Sequence, residues 1–251
     1  MQGISIAISG GGTRGYAALP IFERVVNTAN IKNVAGTSIG SIIAAYYCIH
    51  GSVRSLKDKK AKYMHFFSLN PKISLWDANK VKKFLTEDLD LNYDFKECSV
   101  PLYINATDIK TLKPVVFSKG NIIDAIMASI ALPPLLPAYV IGSRYYIDGG
   151  FSKPYLKADV IIDLLEGSLS NYSEQHNNVM NNAIIAFMAL IKNTKSLYAD
   201  SFVFSPFERD SNLLNVFDFR KSPAFYKKGE AYWKKKENEF LRWLDEKKRD
   251  S

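Results

Sequence analysis

GISIAISGGGTRG (residues 3–15) and IKNVAGTSIG (residues 31–40) are two copies of one local pattern, an apolar strand that breaks at glycine and passes straight into a helix. In the first copy, residues 3–9 read as a short buried strand and Gly10, Gly11 and Gly12 as the turn. Residues 16–28 then have helical spacing, with Ala18, Leu19, Phe22, Val25 and Val26 on one side. In the second copy, residues 31–35 form the strand, and residues 41–50 form an apolar helix entered directly from Gly40. Strand and helix alternating in this way predict an α/β fold. A mostly parallel central sheet lies between helices on both faces, in three α/β/α layers.

The rest of the chain extends this pattern outward. Residues 56–67 and 78–89 read as helices, and 102–107 and 115–118 as strands joined by a turn over 108–113. A helix over 122–130 is closed by the breaker run Leu132-Pro133-Pro134, with Pro137 soon after. A strand at 145–147 runs into Asp148-Gly149-Gly150, and further strands follow at 160–164 and 202–204, with an apolar helix over 183–191 between them. No internal repeat or composition shift marks a boundary, so residues 1–251 are expected to form one domain. A chain of this length can bury most of its surface without a metal or disulfide staple.

Three glycine-flanked positions carry the candidate chemistry. Gly36-Thr37-Ser38-Ile39-Gly40 is a Gly-x-Ser-x-Gly turn between strand and helix. Such a turn exposes the serine hydroxyl at its apex and brings the helix N-terminus beside any oxyanion formed there. A helix-start turn with a capping serine is the plainer alternative. The run Gly10-Gly11-Gly12-Thr13-Arg14-Gly15 leaves backbone amides free to face an anion. Gly10, Gly12 and Gly15 also satisfy the dinucleotide fingerprint, which needs an acidic residue at the end of the second strand. No Asp or Glu lies between Glu23 and Asp58, so an oxyanion hole beside Ser38 is the better reading. Asp148-Gly149-Gly150 places a carboxylate at a strand end where it can face a cleft, or else forms a simple hairpin turn.

Histidine is scarce. His50 and His65 fall on helical segments, and His176 lies in the polar, Asn-rich stretch 168–182. Only His176 follows Asp148 in the order a Ser…Asp…His triad requires. Neither Cys-x-x-Cys nor His-x-x-x-His occurs, so no metal is expected.

Taken in order, the motifs at 10–15, 36–40 and 148–150 resemble those of the patatin-like phospholipase family. Ala128-Ser129 through Pro133-Pro134, Thr107-Asp108, and Phe217 to Phe219 with Gly229 are weaker echoes, and the similarity spans about residues 3–235. Where many members place an asparagine after Asp-Gly-Gly, this chain has Lys153, so substrate preference is not inherited. The resemblance implies that Ser38 is a nucleophile and Asp148 its general base, without a histidine. It implies an oxyanion hole at Gly10, Gly11, Gly12 and Arg14, with the Ile39 N–H as a further donor. Arg14 could instead brace the glycine loop through backbone carbonyls. Gly36, Ile39 and Gly40 form the elbow, and Gly149 and Gly150 the base loop. The implied substrate is a glycerolipid ester, with no cofactor and no calcium. An acyl groove is expected from Leu132, Leu135, Leu136 and Phe187. A Ser-His acyltransferase using His176 and a non-catalytic lipid-binding protein are the alternatives.

A net charge of +8 favours anionic surfaces. Residues 221–251 carry ten Lys/Arg against six Asp/Glu, interleaved with Phe225, Tyr226, Tyr232, Trp233, Phe240, Trp243 and Leu244. An amphipathic helix docked by its aromatic stripe accounts for this pattern. Peripheral contact with an anionic membrane is the second reading. No motif supports nucleic-acid binding. Cys48 and Cys98 read as reduced structural thiols, which indicates a reducing compartment. With no secretory leader and no apolar stretch long enough to span a bilayer, a soluble cytoplasmic protein is expected.

Overall fold

The computed structural model of the protein describes residues 3–59, 77–168, 170, 173–174, 178–194, 200–210, 216 and 218–249. At its centre, β1 (Ile4–Ile8) lies between two parallel neighbours, β2 (Ile31–Thr37) and β7 (Val160–Ile162). β1, β7 and the second half of β2, after the exposed Lys32, are largely apolar and covered on both faces, as a parallel sheet beneath helices requires. β8 (Phe202–Phe204) continues the parallel set beyond β7, and β3 (Leu102–Asp108) continues it beyond β2. The remaining strands are antiparallel: β4 (Lys113–Phe117), β5 (Tyr139–Ile141) and β6 (Arg144–Asp148). The order is β5-β6-β3-β2-β1-β7-β8, with β4 also paired to β3.

β3 sets the geometry of the site. Its residues Ile104 and Asn105 pair with both β2 and β4, and Ala106 to Asp108 pair with both β4 and β6. A strand has two edges, so β2 and β6 share the edge opposite β4, one following the other. Thr37, the last residue of β2, is in register with Asn105, and Asp148, the last residue of β6, is in register with Ala106. The two strands run toward each other and end at adjacent positions of β3. This collision delivers Ser38 and Asp148 to one place from 110 residues apart in the chain.

Helices flank the sheet: α1 (Gly15–Thr28), α2 (Ile39–His50), α3 (Ala78–Lys83), α4 (Ile122–Ser129), α5 (Val179–Thr194) and α6 (Ser222–Arg249). The helix expected over 78–89 is capped by Asp77, which accepts from the Asn79 and Lys80 N–H groups, and it ends in a wider turn over Phe84–Asp88. Of the helix expected over 56–67, only a 3-10 turn at Arg54–Lys57 falls among the described residues. β5 is an addition to the sequence reading; the prolines before it masked a three-residue edge strand. Helix α6 buries Phe225, Trp233, Phe240 and Leu244, and Phe240 and Trp233 pack on Phe202 and Phe204 of β8. The aromatic stripe is therefore a docking face; Lys227, Lys234, Lys235 and Lys248 lie on the outer side, whereas Lys228 and Lys247 pair with Asp210 and Asp159.

The two cysteines are both free, and they are neighbours rather than isolated residues. The Ser99 N–H and Oγ–H both donate to the Cys48 carbonyl at 2.8 Å, bringing Cys98 beside Cys48. The Cys48 thiol is pushed well up, by its hydrogen bond with Cys98 first and burial second, and that bond draws Cys98 down. Among the described residues no helix is long and apolar enough to cross a membrane.

Candidate active site

Ser38 occupies the turn between β2 and α2 with φ 53° and ψ −125°, a conformation outside the ordinary regions for a residue bearing a side chain. Strain of this kind costs about 1–3 kcal/mol and persists only where the surroundings dictate it. Here the cause is crowding: the helix must leave the strand so abruptly that its first turn touches β1. A Cβ added at Gly40 would stand 2.3 Å from the Ile8 carbonyl oxygen, so only glycine lets α2 start there. The turn is held from below by Ser129 at the end of α4. Its Oγ accepts the Ser38 N–H at 2.8 Å and donates to the Asn105 carbonyl at 2.7 Å. With its own N–H occupied, Ser38 leaves the first free N–H of α2 to Ile39.

Asp148 is 1% exposed. Its Oδ1 accepts the Gly150 N–H at 2.8 Å, and Oδ2 has no partner at hydrogen-bonding geometry among the described residues. Burial pushes the carboxyl up to about 6, and the nearby Ser38 hydroxyl and the Gly150 N–H pull it partly back. The turn behind it is fastened to β3. Thr107 Oγ1 donates to the Asp148 carbonyl at 2.9 Å, and Asn105 Nδ2 donates to the Gly149 and Lys153 carbonyls at 3.2 and 2.7 Å. One strand therefore anchors both halves of the site, the Ser38 turn through Ser129 and the Asp148 turn directly.

The glycine loop closes the third side. A Cβ on Gly10 would lie 3.2 Å from Ser38 Cβ, so the loop passes directly over Ser38. Gly11 has φ 145° and lies against Leu164, where a Cβ would come within 2.7 Å of that side chain. The N–H groups of Gly11 and Gly12 have no acceptor among the described residues. Gly10, Gly11, Gly12, Ser38, Asp148 and Gly150 all line one cavity of about 20 Å³, completed by Leu132, Leu165, Phe187, Met188, Ile191 and Val216.

Two expectations are corrected. The Arg14 side chain is not an oxyanion donor: it is fully buried away from the cavity. It donates to the Leu164 and Glu166 carbonyls at 3.2 and 2.7 Å, lies 4.3 Å over the Phe207 ring, and pairs with Asp210 at 3.5 Å. Burial lowers its pKa to about 10 against the pull of Asp210 and Asp163. Arg14 thus clamps the glycine turn to the segment after β7, the bracing role. The expected acyl groove is also only half present. Leu132 and Phe187 reach the cavity, whereas Leu135 and Leu136 are buried elsewhere, Leu136 in the main core.

His50 Nε2 contacts the Leu89 carbonyl, remote from Ser38, and His65 and His176 lie outside the described residues. A groove of about 620 Å³ lies away from this site. It runs between α1 and α6 and carries charges of both signs, including Glu23, Arg54 and Lys57. Among the described residues no cluster of three or more potential metal ligands occurs. The contribution of Ser129 could have been suspected from its motif. That of Asn105 had no sequence signal, because its role depends on register.

Residues 6–159 match the family model described as patatin-like phospholipase. An uncharacterized NTE family protein of Mycobacterium tuberculosis is 26% identical over 167 residues, covering 62% of this chain and 45% of the relative. A lysophospholipase, NTE1, of the fungus Phaeosphaeria nodorum is 25% identical over 191 residues, 69% of this chain but 13% of the relative. The chain therefore spans less than half the length of either. Among solved structures, VipD of Legionella pneumophila superposes with a TM-score of 0.49 at 12% identity, over 90% of this chain and 67% of that one.

Proposed function

The chain belongs to the patatin-like phospholipase family, and on that premise we propose that it is a serine acyl-ester hydrolase of glycerolipids working through Ser38 and Asp148. The observation that carries this reading is the pairing of a strained, outward-turned serine with a buried, desolvated carboxylate on one cavity. Desolvation makes Asp148 a stronger base than a carboxylate in water, which the mechanism needs in the absence of imidazole.

In this scheme Asp148 Oδ2 takes the Ser38 proton as Oγ attacks the ester carbonyl. The oxyanion is met by the N–H groups of Gly11, Gly12 and Ile39 at the start of α2, and each such donor lowers the barrier by about 3 kcal/mol. Collapse releases the alcohol, which takes the proton from Asp148. Water deprotonated by Asp148 then frees the fatty acid from the acyl-enzyme. Calcium has no step here, and EDTA is expected to leave the rate unchanged. The fungal relative's name favours a lysophospholipid as the first substrate to try. Peripheral binding of anionic membranes by the outer lysines of α6 belongs to the same proposal; neutralising them without loss of liposome binding would remove it.

Labelling with a fluorophosphonate tests the core claim. Wild type should be modified at Ser38, while Ser38→Ala and Asp148→Asn should not react. Full turnover by His176→Ala excludes a Ser-His acyltransferase. A wild-type chain that never labels at Ser38 overturns the hydrolase reading.

A further inference from the structure

Among the described residues the cavity above Ser38 is narrow. About 20 Å³ is room for roughly one water molecule. Pockets that hold a drug-sized ligand measure about 300–1,000 Å³. Among the described residues it leaves no room for an acyl chain at Ser38 unless part of the wall moves.

The wall has one separable part. Phe187, Met188 and Ile191 come from one face of α5. Phe187 presses on the base loop: its ring centroid is 4.5 Å from that of Phe151, and a Cβ on Gly150 would lie 3.0 Å from its Cζ. These side chains pack with Ile184, Leu165 and Val216 in a cluster apart from the main core. Withdrawing α5 therefore uncovers Ser38 and Asp148 without disturbing the interior that holds the sheet.

The outer face of α5 is unlike a solvated helix surface. From Val179 to Ile191 there is no charged residue. Val179 is 88% exposed and Leu190 40% exposed, and Ala186 and Ala189 are also exposed. Surface helices ordinarily carry charges opposite their buried stripe. By contrast α6, also on the surface, is dense in lysine and glutamate.

We propose that the outer face of α5 docks on the apolar surface of a lipid bilayer, and that docking draws Phe187, Met188 and Ile191 off the Ser38 cavity. The inference rests on the hydrolase reading, since a lipid-ester substrate resides in the surface that the helix would enter. Continuity decides the occupant: over residues 179–191 the same helix has an uncharged face outward and the Ser38 cavity beneath it. A protein partner would leave the substrate no route to Ser38.

The test compares second-order fluorophosphonate labelling of Ser38 with and without phosphatidylcholine vesicles. Wild type and the double variant Ala186→Glu/Ala189→Glu are run in parallel. Both alanines are exposed and both changes suit a helix, and thermal melting checks that the variant is folded. Probe partitioning into lipid is common to the two proteins, so the ratio of their enhancements isolates the helix. If the closed form dominates, vesicles should speed wild-type labelling by about fivefold or more, and the double variant should lose that gain. Phe187→Ala, which thins the cover, should label faster than wild type without vesicles. Equal enhancement in wild type and double variant, or none in either, overturns the docking proposal while leaving the hydrolase intact. A Ser38 that labels under no condition overturns both.

Discussion

Replacing Asp148 by asparagine is expected to stabilise the protein at neutral pH while abolishing its reactivity, and the reason is electrostatic. The carboxyl is buried and pushed from 3.8 to about 6, so the folded chain holds a proton there that the unfolded chain has already released. Stability falls with rising pH wherever the native state binds more protons. The penalty is absent below the unfolded value, grows between the two values, and is complete above the folded one. At ~1.4 kcal/mol for each tenfold change in the ionisation constant, it amounts to about 3 kcal/mol. Asparagine keeps an oxygen for the Gly150 N–H and sets an uncharged amide where Oδ2 has no partner. Leaving that amide poorly bonded costs about 1 kcal/mol, so the net gain at about pH 8 is about 2 kcal/mol. For a chain of this size that raises Tm by about 4–8 °C. At about pH 4 the penalty has mostly vanished and the variant should be equal to wild type or slightly less stable, with the crossover between about pH 4 and about pH 5. Calorimetry of both proteins across this range is the assay. A Tm difference that stays constant with pH would mean that Asp148 ionises like an exposed carboxylate, and the desolvation argument would be wrong.

Wild-type labelling of Ser38 should follow the same group: its rate rises about tenfold for each pH step below about 6 and levels off above, as expected for a carboxylate that must be ionised to act as base. Ser129→Ala removes the bridge between the Ser38 N–H and the Asn105 carbonyl. Urea unfolding should show a loss of about 1–3 kcal/mol, and labelling should slow by about 10–100-fold as the turn loosens. Ser38→Gly should be more stable than Ser38→Ala by about 1–2 kcal/mol in the same unfolding assay, because glycine alone relaxes at φ 53°. Arg14→Met should cost about 2–4 kcal/mol, since the Leu164 and Glu166 carbonyls lose their donor while Asp210 keeps Lys228; a cost below about 1 kcal/mol would return Arg14 to a substrate-facing role.

The motifs at residues 10–15, 36–40 and 148–150 were legible because each rests on glycine, whose presence reports a backbone constraint directly. Gly40 against the Ile8 carbonyl and Gly11 at φ 145° are local facts that leave a local mark. The alternation of strand and helix was legible for the same reason, because burial on both faces writes itself into continuous apolar runs such as residues 4–8. What stayed hidden depends on long-range register or on volume. Asn105 is an ordinary strand residue until pairing puts it between Thr37 and the Asp148 turn. Arg14 was readable as a brace of the glycine loop, but what it braces against was not. Its actual partners, Glu166, Phe207 and Asp210, come from segments that nothing in the local sequence ties to it. Leu135 and Leu136 were indistinguishable in hydrophobicity from Leu132, and only packing separates core from cavity wall.

Under the proposed function, the topology lets two catalytic groups suffice. In a triad, histidine spans the distance between nucleophile and carboxylate and supplies a base of suitable strength. Here β2 and β6 meet end to end on one edge of β3, which removes the distance. Burial of Asp148 supplies the strength by raising its proton affinity into the range histidine would occupy. Both conditions are set by the sheet. Closure by α5 bears on the second, because Phe187 covers the base loop, and withdrawing it admits water to the carboxylate. Access and basicity therefore oppose each other: the cover that keeps Asp148 a strong base also keeps substrate out. A lipid surface resolves the conflict better than bulk water does, since an acyl chain entering beneath α5 would replace the apolar side chains that leave. On this argument, short water-soluble esters should be poor substrates even when they are small enough to enter. They uncover Asp148 without restoring its apolar surroundings, and their pH–rate profile should move toward the lower range of an exposed carboxylate.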